Sequence, residues 1–299
     1  MKPLRLTLRK ALTDFEVQNL TATYIDETHF DTLIEDDCDV YDTSGRMLAK
    51  FRKGVLPIET LKIGVDSFRG AIGVSRQRGD SGGGTVLNVE RKDGTKSNWN
   101  ATPPVECGLV GAIEGFGGLN PFCRLTAFTA KHFEQYKAGI PFVEAIDELY
   151  ATLAPIHHKI QREYAKATNR NYIIGNTAFS TVTVNKNFRT AVHQDAGDLP
   201  KGFGNLIAYR EGRWTGGYFC LPQYRVAFDL RNTDVLFVDV HKHHANTPFY
   251  LDGKIMDEWP EDQLRISFVL YYRQDIIKCA SPSNELKRMK NTYFGFNKL

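Results

Sequence analysis

Between Tyr172 and Arg273 the chain breaks into short β-prone runs divided by turn residues: NTAFSTVTVN, GNLIAYRE, GGYFCLP, YRVAFDL, TDVLFVDVH and RISFVLYYR. Such runs at such spacing predict a sandwich or barrel whose strands are close neighbours. The stretch before them is helical in pattern. LTAFTAKHFEQYKAG ends on Gly139, a helix terminator, and Phe142, Ile146, Leu149, Leu153, Ile156, Ile160 and Tyr164 then recur every three or four positions. This predicts two helices, the second bent at Pro155. No linker separates the parts, so the expectation is one α+β domain over 1–299. Within it, 1–124 is a basic N-terminal elaboration, 125–168 helical support and 172–273 the β core.

Composition narrows the class. Hydrophobic residues make up 42% of the 299, ample for a core. The sequence has no apolar stretch of membrane-spanning length, and the start, MKPLRLTLRKALTDFEVQ, lacks the apolar block of a secretory signal. The expectation is a soluble intracellular protein with no membrane partner. Five cysteines (Cys38, Cys107, Cys123, Cys220, Cys279) stand far apart without a C-x-x-C pair and read as buried reduced thiols. The net charge of +3 is small but uneven: acids crowd between Asp26 and Asp42, and bases prevail from Arg46 to Lys96. A basic face is expected there, with Arg76 and Arg78 in the Gly/Ser-rich loop SRQRGDSGGGT as contacts for DNA phosphates.

Residues 193–198 read HQDAGD. Residues two apart in an extended segment point to the same side, so His193 and Asp195 converge as half a metal site. A third ligand is sought in DVLFVDVHKHHANTPF, which offers His241, His243 and His244; the competing reading is a set of surface histidines at a strand exit. Two His and one carboxylate with open positions form the facial triad of non-haem iron(II) oxygenases. In RISFVLYYR, Arg265 and Ser267 share one strand face, where a guanidinium grips a carboxylate and a hydroxyl adds a hydrogen bond.

Taken together, HQD, HHANTP and RISFVLYYR resemble the iron(II)- and 2-oxoglutarate-dependent DNA dioxygenases of the TET and JBP group. The resemblance implies a double-stranded β-helix (jelly roll) with iron(II), 2-oxoglutarate and dioxygen as cofactors. In that group the distal iron histidine opens an H-A-T-T-P run, which implies His244 as third ligand; His241 stays a second candidate, otherwise support on the substrate side. Arg265 and Ser267 are implied to anchor the distal carboxylate of 2-oxoglutarate, and Arg189, a few residues before H-x-D, its other end. The segment YLDGKIMDEWPEDQ between His244 and Arg265 is longer than the group's pattern and looks inserted.

The group's base-contacting position, three past the iron carboxylate, implies that Asp198 reads the target base. A carboxylate accepts hydrogen bonds only, which matches the amino group of 5-methylcytosine and not O4 of thymine; a protonated Asp198 reverses the preference. The expected reaction is hydroxylation of 5-methylcytosine to 5-hydroxymethylcytosine in double-stranded DNA with the base flipped out. Phe203, Tyr209 and Tyr218 are candidate stacking residues. The alternatives are thymine hydroxylation as in JBP proteins, oxidation of a free nucleotide or small molecule, a non-catalytic module for modified DNA, and a zinc hydrolase. The expected compartment is a host cytoplasm if phage-encoded, or a nucleus if eukaryotic.

Overall fold

The computed structural model describes residues 2–84, 102–115 and 121–294. Its frame is a long mixed sheet facing a small one. The long sheet runs in the order Leu4–Leu8, Cys38–Asp42, Met47–Arg52, Val235–Val238, Gly204–Glu211, Leu264–Tyr271, Thr181–Lys186, Val105–Ile113, Gly73–Ser75. The short sheet runs Ala245–Asn246, Phe219–Leu221, Val226–Phe228, Thr32–Ile34. This is the double-stranded β-helix: two facing sheets with a cavity at one end. Strands from both sides of the helical stretch hydrogen-bond into the same long sheet.

Period-two alternation explains which face does what. In Leu264–Tyr271, Ile266, Phe268 and Leu270 pack outward on the helices, while Arg265, Ser267, Val269 and Tyr271 face the cavity. In Thr181–Lys186, Val182 and Val184 go to the helices, and Thr183 and Asn185 to the cavity. The sequence thus writes an apolar face for the core and a polar one for the site. Phe268 and Phe142 meet at a tilt with ring centroids 5.0 Å apart and are fully buried; truncating either to Ala costs about 3–5 kcal/mol.

The helices differ in detail from the pattern. The stretch expected as one helix up to Gly139 is two, Ala127–Lys131 and Phe133–Ala138, broken where His132 leaves helical geometry (φ −122°, ψ 50°). Ile140–Leu153 and Pro155–Ala167 follow, and the bend falls at Ala154, because proline bars the preceding residue from helical angles. Gly139 permits the close packing of this layer: a Cβ there would lie 2.3 Å from the Phe68 ring. The C-terminal helix Pro282–Phe294 is tied down by buried Glu285, which accepts the Cys123 and Ala280 N–H groups.

Two sequence expectations are corrected. Cys123 and Cys279 form a disulfide, while Cys38, Cys107 and Cys220 are free and buried; the pair is 156 residues apart in sequence, so no local spacing betrays it. The acidic and basic blocks do not make separate faces. Cys38–Asp42 and Met47–Arg52 are antiparallel neighbours, so Lys50 and Arg52 both pair with Asp39, while Lys53 reaches Asp36 and Arg46 reaches Asp239. Arg91, Lys92 and Lys96 lie outside the described residues.

Candidate active site

His193 does not simply prolong a strand. Thr181–Lys186 ends at Asn187, which turns in the left-handed region (φ +51°), and the chain returns across the mouth of the sheets. There His193 and His244 exchange both backbone hydrogen bonds in an isolated antiparallel bridge, at 3.0 and 2.9 Å. Each ring is then oriented by its own backbone: Nδ1 of His193 lies 2.8 Å from the Ala191 carbonyl, and Nδ1 of His244 lies 2.9 Å from the Lys242 carbonyl. A carbonyl only accepts, so Nδ1 carries the proton and the Nε2 lone pair faces inward. Asp195 completes the group, its oxygens 3.8 Å from Nε2 of His193 and 3.6 Å from Nε2 of His244.

All three donor atoms lie within 4.8 Å of one another, the separation a single cation needs. Burial, then the adjacent His244, holds the His193 imidazole down to about 4, so it is neutral and available as a ligand near pH 7. Phe219 stacks on His244 at 5.2 Å and fixes the ring plane. His241 is not in this cluster: its Nδ1 lies 3.4 Å from the Asp239 carboxylate and its Nε2 lies 3.2 Å from the Asp198 carbonyl. It clamps the 195–198 turn rather than lining the cavity.

The cluster opens into a cavity of about 350 Å³ whose far wall carries Arg265 and Ser267. Both are buried, and Nη1 of Arg265 donates to Ser267 Oγ at 3.1 Å. Among the described residues no carboxylate lies within ion-pair distance of Arg265. Burial and the neighbouring Arg210 charge pull its guanidinium down to about 10. A buried unpaired cation is costly, so this wall suits an anion, and a dicarboxylate reaching from metal to guanidinium fits the donor set. The residues present therefore fit iron(II) and 2-oxoglutarate.

Asp198 lines the same cavity and is buried, with Oδ2 lacking a hydrogen-bond partner. Burial first, then the Asp195 charge, pushes its carboxyl well above the usual range. Its backbone bridges to Arg273, whose guanidinium forks onto the Glu114 carboxylate.

The other sequence candidates scatter. Arg189 faces a separate groove with Tyr24 and Trp259, and its Nη2 donates to the Ile25 carbonyl at 2.5 Å. Arg78 instead lines the cavity, half-buried, with Nε unpartnered. Arg76 is exposed. Phe203, Tyr209 and Tyr218 do not line the cavity; Phe203 is covered by His157 at 3.8 Å. Sequence reasoning missed Thr183, Asn185 and Tyr271, though the polar positions of TVTVN and the alternation of RISFVLYYR carried that signal.

The profile described as the oxygenase domain of the 2OGFeDO superfamily, Tet/JBP, matches residues 117–274, more than half of the chain. The chain belongs to the Tet/JBP family. It is a 2-oxoglutarate-dependent dioxygenase by family, and iron(II), 2-oxoglutarate and dioxygen are the cofactors of that superfamily. Bifunctional helicase and thymine dioxygenase JBP2 of Trypanosoma cruzi is 35% identical over 240 residues, which cover 77% of this chain and 20% of that protein. Thymine dioxygenase JBP1 of Trypanosoma brucei brucei is 36% identical over 151 residues, 50% of this chain and 17% of that protein. This chain thus spans a fifth or less of these relatives' length. The solved structure of NgTET1 in complex with 5mC DNA superposes with a TM-score of 0.57 at 16% identity, covering 94% of this chain and 100% of that one, and shows the same fold. Among the described residues no helix is long and apolar enough to cross a membrane.

Proposed function

We propose that this Tet/JBP chain hydroxylates the 5-methyl group of a pyrimidine in DNA, with thymine as the preferred base. The observation that carries the reading is one cavity holding His193, Asp195 and His244 at one wall and the unpaired Arg265 with Ser267 at the other. When bound, iron(II) with 2-oxoglutarate and dioxygen supplies oxidative decarboxylation to succinate and carbon dioxide, and with it the oxidant for a C–H bond. The chain's own residues do the rest. His193 and His244 present Nε2 lone pairs already oriented by backbone carbonyls, and Asp195 adds the carboxylate. Arg265 and Ser267 grip the distal carboxylate of the cosubstrate. Arg78, rather than Arg189, is placed to meet its other end.

Thymine is favoured by the relatives, since the proteins about one third identical are named thymine dioxygenases. Asp198 agrees with it: burial favours its neutral form, and that form would offer an O–H donor to O4 and a carbonyl acceptor to N3–H. 5-Methylcytosine is the second reading, favoured by a carboxylate form of Asp198 under the added charge of a bound cation and by the fold of the 5mC-DNA structure. A base stacked in a duplex cannot enter so enclosed a site, so the nucleotide is extruded, at a cost of a few kcal/mol recovered by edge and stacking contacts.

The test is turnover on thymine and 5-methylcytosine duplexes side by side, with nucleosides identified by mass spectrometry. 5-Hydroxymethyluracil in excess supports thymine, and 5-hydroxymethylcytosine in excess selects the second reading. Oxidation of free nucleotides alone sinks both.

A further inference from the structure

The hairpin Phe249–Leu251 with Lys254–Ile255 leads into the stretch that looks inserted in the sequence, which begins at Tyr250, one residue after Phe249, and contains Trp259. The hairpin's first residue, Phe249, lies beside the Arg265 guanidinium. We propose that the ring cluster Phe249, Trp214 and Trp259 is a positioning element that sets the affinity for 2-oxoglutarate; this rests on the cosubstrate reading above.

Arg265 needs such an element. Its guanidinium makes one hydrogen bond among the described residues, to Ser267, and a four-torsion side chain with one bond is not fixed by polar contacts. The Phe249 ring supplies the missing wall: its centroid is 5.6 Å from the guanidinium carbon, and the side chain is almost wholly buried. Phe249 is fixed in turn by edge-to-face contacts with Trp214 at 5.3 Å and Trp259 at 5.0 Å, and the two indoles touch at 5.4 Å. Gly217 (φ +66°) makes room for it, since a Cβ there would lie 2.1 Å from the ring.

The cluster also grips the strand that carries Arg265. Trp214 Nε1 donates to the Leu264 carbonyl at 3.2 Å, one residue before the arginine. The hairpin is held at its outer side by Tyr250, whose hydroxyl donates to Glu27 at 2.6 Å. Neither Phe249 nor Trp259 lines the cavity, so the cluster acts on the cosubstrate only through Arg265. An arginine held ready in its bound geometry loses less freedom on binding, and that difference appears in affinity.

The experiment is calorimetric titration of 2-oxoglutarate under anaerobic conditions with Mn(II) in place of iron, in wild type, Trp259→Ala and Trp259→Phe. Trp259→Ala is expected to weaken 2-oxoglutarate about three- to tenfold, the size of the lost edge-to-face contact that holds Phe249 against Arg265. Trp259→Phe, which keeps a ring, restores it, while Mn(II) and duplex DNA affinities stay at wild-type values in both. An unchanged 2-oxoglutarate affinity in Trp259→Ala, or a parallel loss of Mn(II) affinity, overturns the proposal. Phe249→Leu gives the same reading should Trp259→Ala fail to fold. A wild type that binds no 2-oxoglutarate at all refutes the cosubstrate reading, and the two failures are thereby told apart.

Discussion

Arg210 and Arg265 stand directly opposite each other on neighbouring strands, and both are sunk in the protein. The stretch around Arg210 is complete in itself: Nη1 pairs with Asp229 at 3.0 Å, Nη2 donates to the Trp214 carbonyl at 3.0 Å, and the guanidinium lies 3.8 Å from the Trp214 centroid. The stretch around Arg265 has Ser267 and an aromatic ring but no carboxylate. One arginine is neutralised by its own fold, and the other is left without a carboxylate partner among the described residues. A buried cation is informative when the fold leaves it unpaired, because leaving it so costs several kcal/mol of stability.

The sharpest way to break this contrast is Arg265→Met. We expect kcat/KM for 2-oxoglutarate to fall about a thousandfold, as two charge-assisted hydrogen bonds of about 1.5–3 kcal/mol each are lost. The ligand-free protein should keep or raise its Tm, since an unpaired buried charge gives way to an apolar side chain. A large fall in Tm would make Arg265 structural like Arg210.

The same contrast recurs between histidines. His193 lies at about 4 when folded against an ordinary 6.5. Between these values the unfolded chain binds a proton that the folded chain does not. Stability of the metal-free protein therefore falls as pH drops from 6.5 toward 4, by on the order of 3 kcal/mol. His241 runs the other way: hydrogen bonding to Asp239 raises it, so its contribution is present below 6.5 and fades as pH rises through its folded value. Urea unfolding across pH, with His193→Ala and His241→Gln, separates the two slopes.

Arg210→Met gives a smaller effect of opposite kind. Asp229 retains Arg231 as a partner, so stability of the ligand-free protein should drop by about 1–3 kcal/mol, where Arg265→Met lowers it not at all; thermal melts report both. Smallest is Arg76→Ala on the exposed rim, expected to reduce the salt slope of duplex DNA binding by about 1. An unchanged slope removes Arg76 from the DNA surface.

What was legible in the sequence is what alternation encodes. RISFVLYYR put Arg265 and Ser267 on one strand face, and the same alternation put Ile266, Phe268 and Leu270 on the other. His193, Asp195 and His244 do meet, but through a cross-chain backbone bridge after the Asn187 turn, not through a continued strand. What was illegible depends on contacts distant in sequence. Cys123 finds Cys279 through packing, Asp39 cancels Lys50 and Arg52 through strand pairing, and Arg78 reaches the cavity because Ser81 accepts the Ala191 N–H at 2.9 Å and docks its turn there. Arg189 is nearer H-x-D in sequence yet turns away, because the Ile25 carbonyl captures it.

The most direct measurement is the ratio of succinate formed to 5-hydroxymethylated base formed in a thymine-containing duplex incubated with iron(II), 2-oxoglutarate and oxygen. The proposed function predicts coupled formation near one to one, abolished in His193→Ala. Succinate without any oxidised base, or no succinate at all, would contradict it.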